Sequence, residues 1–130
     1  MSHSKIIKFI YIILGSLWVY QGIFPKLIFT SPDEIAIWQW VGLSEYHAKL
    51  AGQTGGVIEI IFGLFLIFYP LKILHYLNIL GLLFLLVLMS LVMPDTLIRA
   101  FNPVVMNVAM ISLSCIALML YHAKQNNYSE

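Results

Sequence analysis

Charge is scarce in this sequence. Only 10% of its 130 residues are Asp, Glu, Lys or Arg, and the formal net charge is +1. A soluble domain is roughly a quarter charged. The composition therefore excludes an ordinary water-exposed surface, and the lack of a basic run excludes nucleic acid as a partner. Cysteine is nearly missing: Cys115 stands alone. That excludes an intramolecular disulfide and CxxC dithiol chemistry. His3, His47, His75 and His122 are scattered, with no HxxxH or ExxH spacing, so no metal is expected. There is no Ser-His-Asp arrangement and no Gly-rich phosphate loop, and no pair of buried carboxylates is expected. We therefore assign no catalytic residue.

What remains is apolar. Hydrophobic residues make up 61% of the chain and fall into long runs. A membrane span needs about 20 such residues. Four segments qualify, at about 6–29, 50–69, 73–93 and 104–121. Proline and Asn/Asp punctuate the gaps at Pro25, Pro32, Pro70, Pro94-Asp95 and Asn102-Pro103. In lipid each span must satisfy its own backbone, so helices are expected. The expectation is an all-α integral membrane four-helix bundle, one transmembrane domain over residues 1–130. The N-terminal run lacks a small-x-small cleavage site and reads as an uncleaved first span. Lys5, Lys8, Lys72 and Lys124 lie on one side, against Lys26, Lys49 and Arg99 on the other. This bias places both termini in the cytoplasm. The longest connection, residues 30–49, is expected to hold a short interfacial helix. Ser31 or Asp33 would cap it, and Ile35, Ile37, Trp38 and Val41 would form its apolar face.

The second span contains one carboxylate, Glu59, near its midpoint. Such a group costs at least ~2.5 kcal/mol against lipid and should face protein or water. Gly52, Gly56, Glu59 and Gly63 follow at spacings of four, three and four, so they share a helix face. The glycines are expected to admit a neighbouring backbone. On the first span, Tyr11, Gly15, Trp18 and Gly22 form a stripe bordered by Gln21. Pro25 cannot donate to the carbonyl of Gln21. Lys26 has two destinations: outward to the interface, or down into a network with Glu59. Asn107 on the fourth span is expected to bond across helices, either as packing glue or to Glu59 or Gln21. The third span, with Asn78 near its inner end, reads as lipid-facing or packing. Met89/Met93 and Met106/Met110 read as adaptable packing rather than a copper path.

Three segments, LWVYQGIFPKL (17–27), GLSEYHAKLAGQTGGVIEIIFGLFLI (42–67) and FNPVVMNVAMISLS (101–114), resemble the DoxX-like family of small bacterial membrane proteins. The resemblance implies a four-helix protein of the bacterial cytoplasmic (inner) membrane, with typical polar positions at Gln21, Lys26, Glu59 and Asn107. It also implies kinship with subunits associated with thiosulfate:quinone oxidoreduction and with membrane oxidoreductase complexes.

The leading expectation is a redox-associated membrane subunit with an intramembrane polar pocket for a quinone-like or other lipophilic ligand. Glu59 would exchange a proton there. Lys26, Gln21 and Asn107 would supply hydrogen bonds, and Trp18 and Tyr11 an aromatic wall. The expected partners are the lipid bilayer, a membrane or soluble oxidoreductase, and further copies of the chain. The alternatives are a scaffold that docks a partner and, below it, a small transporter.

Overall fold

The computed structural model describes residues 2–127. All regular structure among them is helical. Helix α1 (His3–Gly22) continues into a π-helical turn (Ile23–Ile28). It is followed by α2 (Pro32–Trp40), α3 (Glu45–Phe68), α4 (Lys72–Val92), a 3-10 turn (Pro94–Ile98) and α5 (Pro103–Asn126). Four of these helical segments are long and apolar enough to cross a membrane, and the shortest has 21 residues. Outward-facing side chains such as Leu80, Phe84 and Leu91 on α4 remain largely uncovered. Such a surface suits hydrocarbon and would aggregate in water. The chain is a small membrane protein.

The helices overrun their apolar stretches. α3 begins at Glu45, where the Ser44 hydroxyl accepts the His47 amide at 3.4 Å, and α5 extends to Asn126. Apolarity marks the hydrocarbon thickness, whereas caps mark where the backbone starts and stops. Asn102 caps α5 by accepting from the Val105 amide at 3.1 Å, with Pro103 in the first turn. Gly42, at φ +103°, ends α2. The Leu43 amide there reaches back to the Trp38 carbonyl at 3.2 Å.

Packing divides the chain into two compact units, with the boundary inside α1. The unit Leu14–Tyr69 holds the second half of α1, the π turn, α2 and α3. Its helices meet backbone to backbone in antiparallel register. A Cβ added at Gly15 would lie 2.6 Å from the Gly63 carbonyl oxygen, and one at Gly56 would lie 2.8 Å from the Gly22 carbonyl oxygen. No side chain fits at either crossing. The unit Met1–Ile13 with Pro70–Glu130 holds the start of α1 with α4 and α5. Its core includes Ile7, Ile10, Tyr11, Leu74, Leu82, Met110 and Leu118.

Candidate functional site

Pro25 initiates the site. It has no N–H to close a turn onto Gln21, and its ring crowds that carbonyl. The backbone widens here to five-residue closure, with the Phe29 amide donating to the Phe24 carbonyl at 3.0 Å. Such π turns often mark functional positions. In this one Lys26 is buried, while its neighbours Phe24, Ile28 and Phe29 face outward. Space for the lysine comes from Gly56, where an added Cβ would lie 2.8 Å from Lys26 Cβ. Of the two destinations open to Lys26 in the sequence, the structure shows the inward one: Nζ donates to Glu59 Oε1 at 2.7 Å.

A second carboxylate completes the cluster. Lys26 Nζ lies 3.1 Å from Glu34 Oε1. No pair of buried carboxylates is expected from the sequence, and this is corrected: the largely buried Glu34 and Glu59 share one lysine. Thr30, at φ +37°, turns the chain from the π turn into α2, and its hydroxyl donates to the Lys26 carbonyl at 3.1 Å. Ser31 then caps α2, accepting the Glu34 amide at 3.3 Å. The Ser31 amide itself donates to the Pro25 carbonyl at 2.8 Å. The reciprocal bond of a Ser-x-x-Glu capping box thus has no donor left. The Glu34 carboxylate turns to Lys26 instead, over Gly52, whose added Cβ would lie 3.7 Å from Glu34 Oε2. Gly56 therefore receives the stem of a charged side chain as well as a backbone, whereas Gly52, expected to admit a backbone, meets only the Glu34 side chain.

The side chains of Lys26, Glu59 and Glu34 are 11%, 12% and 18% exposed. One ammonium faces two carboxylates, so with all three ionised the cluster carries one excess negative charge. Glu59 Oε2 is buried and has no hydrogen-bond partner. Burying such an oxygen unsatisfied is costly. The cluster can accept a proton or a hydrogen-bond donor at Oε2. It can also offer the remaining ammonium N–H of Lys26 to an oxygen.

The other sequence-derived residues divide between the units. Trp18 is buried in the same unit as the cluster, edge-to-face with Phe62 at 5.4 Å. Gln21 is half-buried there, and the polar bonds of the Lys26 ammonium go to Glu34 and Glu59. Tyr11 and Asn107 belong to the other unit. The Asn107 amide donates to the Leu82 carbonyl at 3.5 Å, the interhelical-glue role. Tyr11 shares its hydroxyl hydrogen bond with Tyr121 at 3.2 Å and lays its ring 4.4 Å from that of His75.

The third span reads from the sequence as largely lipid-facing or packing; its buried face does pack, and it packs through polar side chains. α4 buries His75 and Asn78 completely, and both meet Ser114 of α5. The spacing of His75, Asn78 and Leu82 on one helix face was the signal available in the sequence. Glu34 had no comparable signal, because only the reversal at Thr30 brings it back onto Lys26. Among the described residues no group of His, Cys, Asp and Glu is arranged to hold a metal.

The DoxX-like family model matches residues 15–115 of this chain. That segment contains Lys26, Glu34 and Glu59 together with His75, Asn78 and Ser114. No curated protein and no solved structure matches it.

Proposed function

The chain belongs to the DoxX-like family, and from that premise we propose that it is a redox-associated subunit of the bacterial cytoplasmic membrane. Its Lys26–Glu34–Glu59 cluster holds the polar head of a quinone-like or other lipophilic ligand. The observation that carries this reading is Glu59 Oε2, buried and without a hydrogen-bond partner beside an ion pair. An intramembrane carboxylate is retained at a cost in stability and marks function by default. Oε2 receives a proton or a hydroxyl hydrogen from the ligand, and Lys26 donates to a ligand oxygen. Glu34 keeps the ammonium in place while Glu59 changes protonation. A quinone, when bound, supplies two-electron redox chemistry coupled to protons. Electrons would come from a membrane or soluble oxidoreductase partner, since this chain has no thiol pair. Both termini face the cytoplasm, and a homo-oligomer is compatible with the extensive apolar surface.

Native mass spectrometry of gently purified protein beside Glu59→Gln tests the proposal. A small molecule carried by the wild type and lost from an equally stable variant is the expected result. Ligand-free spectra of both, at equal stability, would refute it in favour of a scaffold. Collapse of the variant would make Glu59 a structural residue.

A further inference from the structure

A second polar cluster lies in the other unit, and none of its side chains is charged. His75, Asn78 and Ser114 have no exposed surface, and Tyr11 is also buried. One placement of the hydrogens gives every bond in this cluster a donor and an acceptor. The Asn78 amide nitrogen faces the Met110 carbonyl at 3.4 Å, where only a donor is favourable. The same nitrogen donates to Ser114 Oγ at 2.8 Å. Ser114 Oγ also lies 3.0 Å from His75 Nδ1. Of these two partners only the imidazole nitrogen can accept the serine proton. With Nδ1 as that acceptor, the neutral ring carries its proton on Nε2. Nε2 is buried and has no hydrogen-bond partner. The chain of bonds from Met110 through Asn78 and Ser114 ends in an N–H that points at no acceptor.

We propose that His75 Nε2–H is a binding site for the carbonyl oxygen of a neutral, lipophilic molecule. In this tautomer Nε2 presents a proton and not a lone pair, which suits an oxygen acceptor and not a metal ion or cation. Two uncharged rings flank the imidazole, Tyr11 of α1 and Tyr121 of α5, with centroids 4.4 and 6.4 Å away, which suits a neutral ligand. Leu74 and Leu82 on the same helix are also buried. His75 enters α4 only three residues after Lys72, the first residue of the span. At about 1.5 Å per residue it sits just inside the apolar layer, at the level of acyl-ester carbonyls and of a quinone ring near the surface. Both sources present the same carbonyl chemistry. This site stands on residues separate from the Lys26 cluster.

The test uses the full chain, labelled with ¹⁵N-histidine, in nanodiscs of ether-linked phospholipid, which lacks ester carbonyls. The first expected result is a His75 imidazole with its proton on Nε2. A proton on Nδ1 instead would overturn the assignment. The second is that a short-chain benzoquinone or an added ester-linked phosphatidylcholine shifts the Nε2–H resonance, the responsive probe naming the source. No shift with either would overturn the proposal. Ser114→Ala, which releases the tautomer, should weaken the responsive probe about tenfold, the worth of one hydrogen bond. His75→Gln, which keeps an N–H donor, should retain more binding than His75→Phe. Equal binding by both variants would refute the donor role, and the wild-type spectra decide the matter should either variant fail to fold.

Discussion

Lys26 and Glu59 stand 33 residues apart in sequence and 2.7 Å apart in space, joined where a proline-widened turn meets a glycine face. The dependence is unequal: without Lys26, Glu59 loses the one cation paired with it, whereas without Glu59, Lys26 keeps Glu34.

Lys26→Met should therefore be more damaging than its conservative size suggests. We expect a loss of about 3–5 kcal/mol, because two carboxylates lose their shared cation. The double variant K26M/E59L should recover part of it. Reversible unfolding in detergent measures both, and a double variant less stable than the single one would contradict the pairing.

Ser31→Ala removes the cap of α2 and should cost about 1 kcal/mol. Amide exchange should rise across residues 32–40, where Glu34 is anchored, while α3 keeps its protection. Uniform change in both helices would show that α2 does not open by itself.

The glycines are not equivalent. Gly56→Ala places a Cβ 2.8 Å from both the Gly22 carbonyl oxygen and Lys26 Cβ, and should destabilise by about 1–3 kcal/mol. Gly81 has no atom within 4 Å of an added Cβ. Gly81→Ala should therefore stabilise α4 by about 0.5–1 kcal/mol. Thermal melts of the two variants should move in opposite directions.

Cys115 is exposed near the middle of α5, inside a candidate span. In intact membranes it should resist a charged, membrane-impermeant maleimide and react only after solubilisation. Rapid labelling before detergent would mean that this face of α5 meets water.

The spans, their helical state and the membrane setting follow from the sequence alone. Hydrocarbon forbids unsatisfied backbone, so long apolar runs leave few alternatives to a helix. Spacing also placed Glu59 on the glycine face and Lys26 within reach of it, since helical periodicity is local. The sequence could not choose between the outward and inward positions of Lys26. A long side chain has both available, and the choice depends on the π turn and on the space at Gly56.

Only the tertiary structure brought Glu34 to Lys26 and His75 and Asn78 to Ser114. Those meetings depend on a reversal at a left-handed Thr30 and on the rotation of α4 against α5. No nearest-neighbour pattern encodes either one. A polar residue at a span end looks the same in sequence whether it faces headgroups or another helix, because the difference lies in which helix covers it.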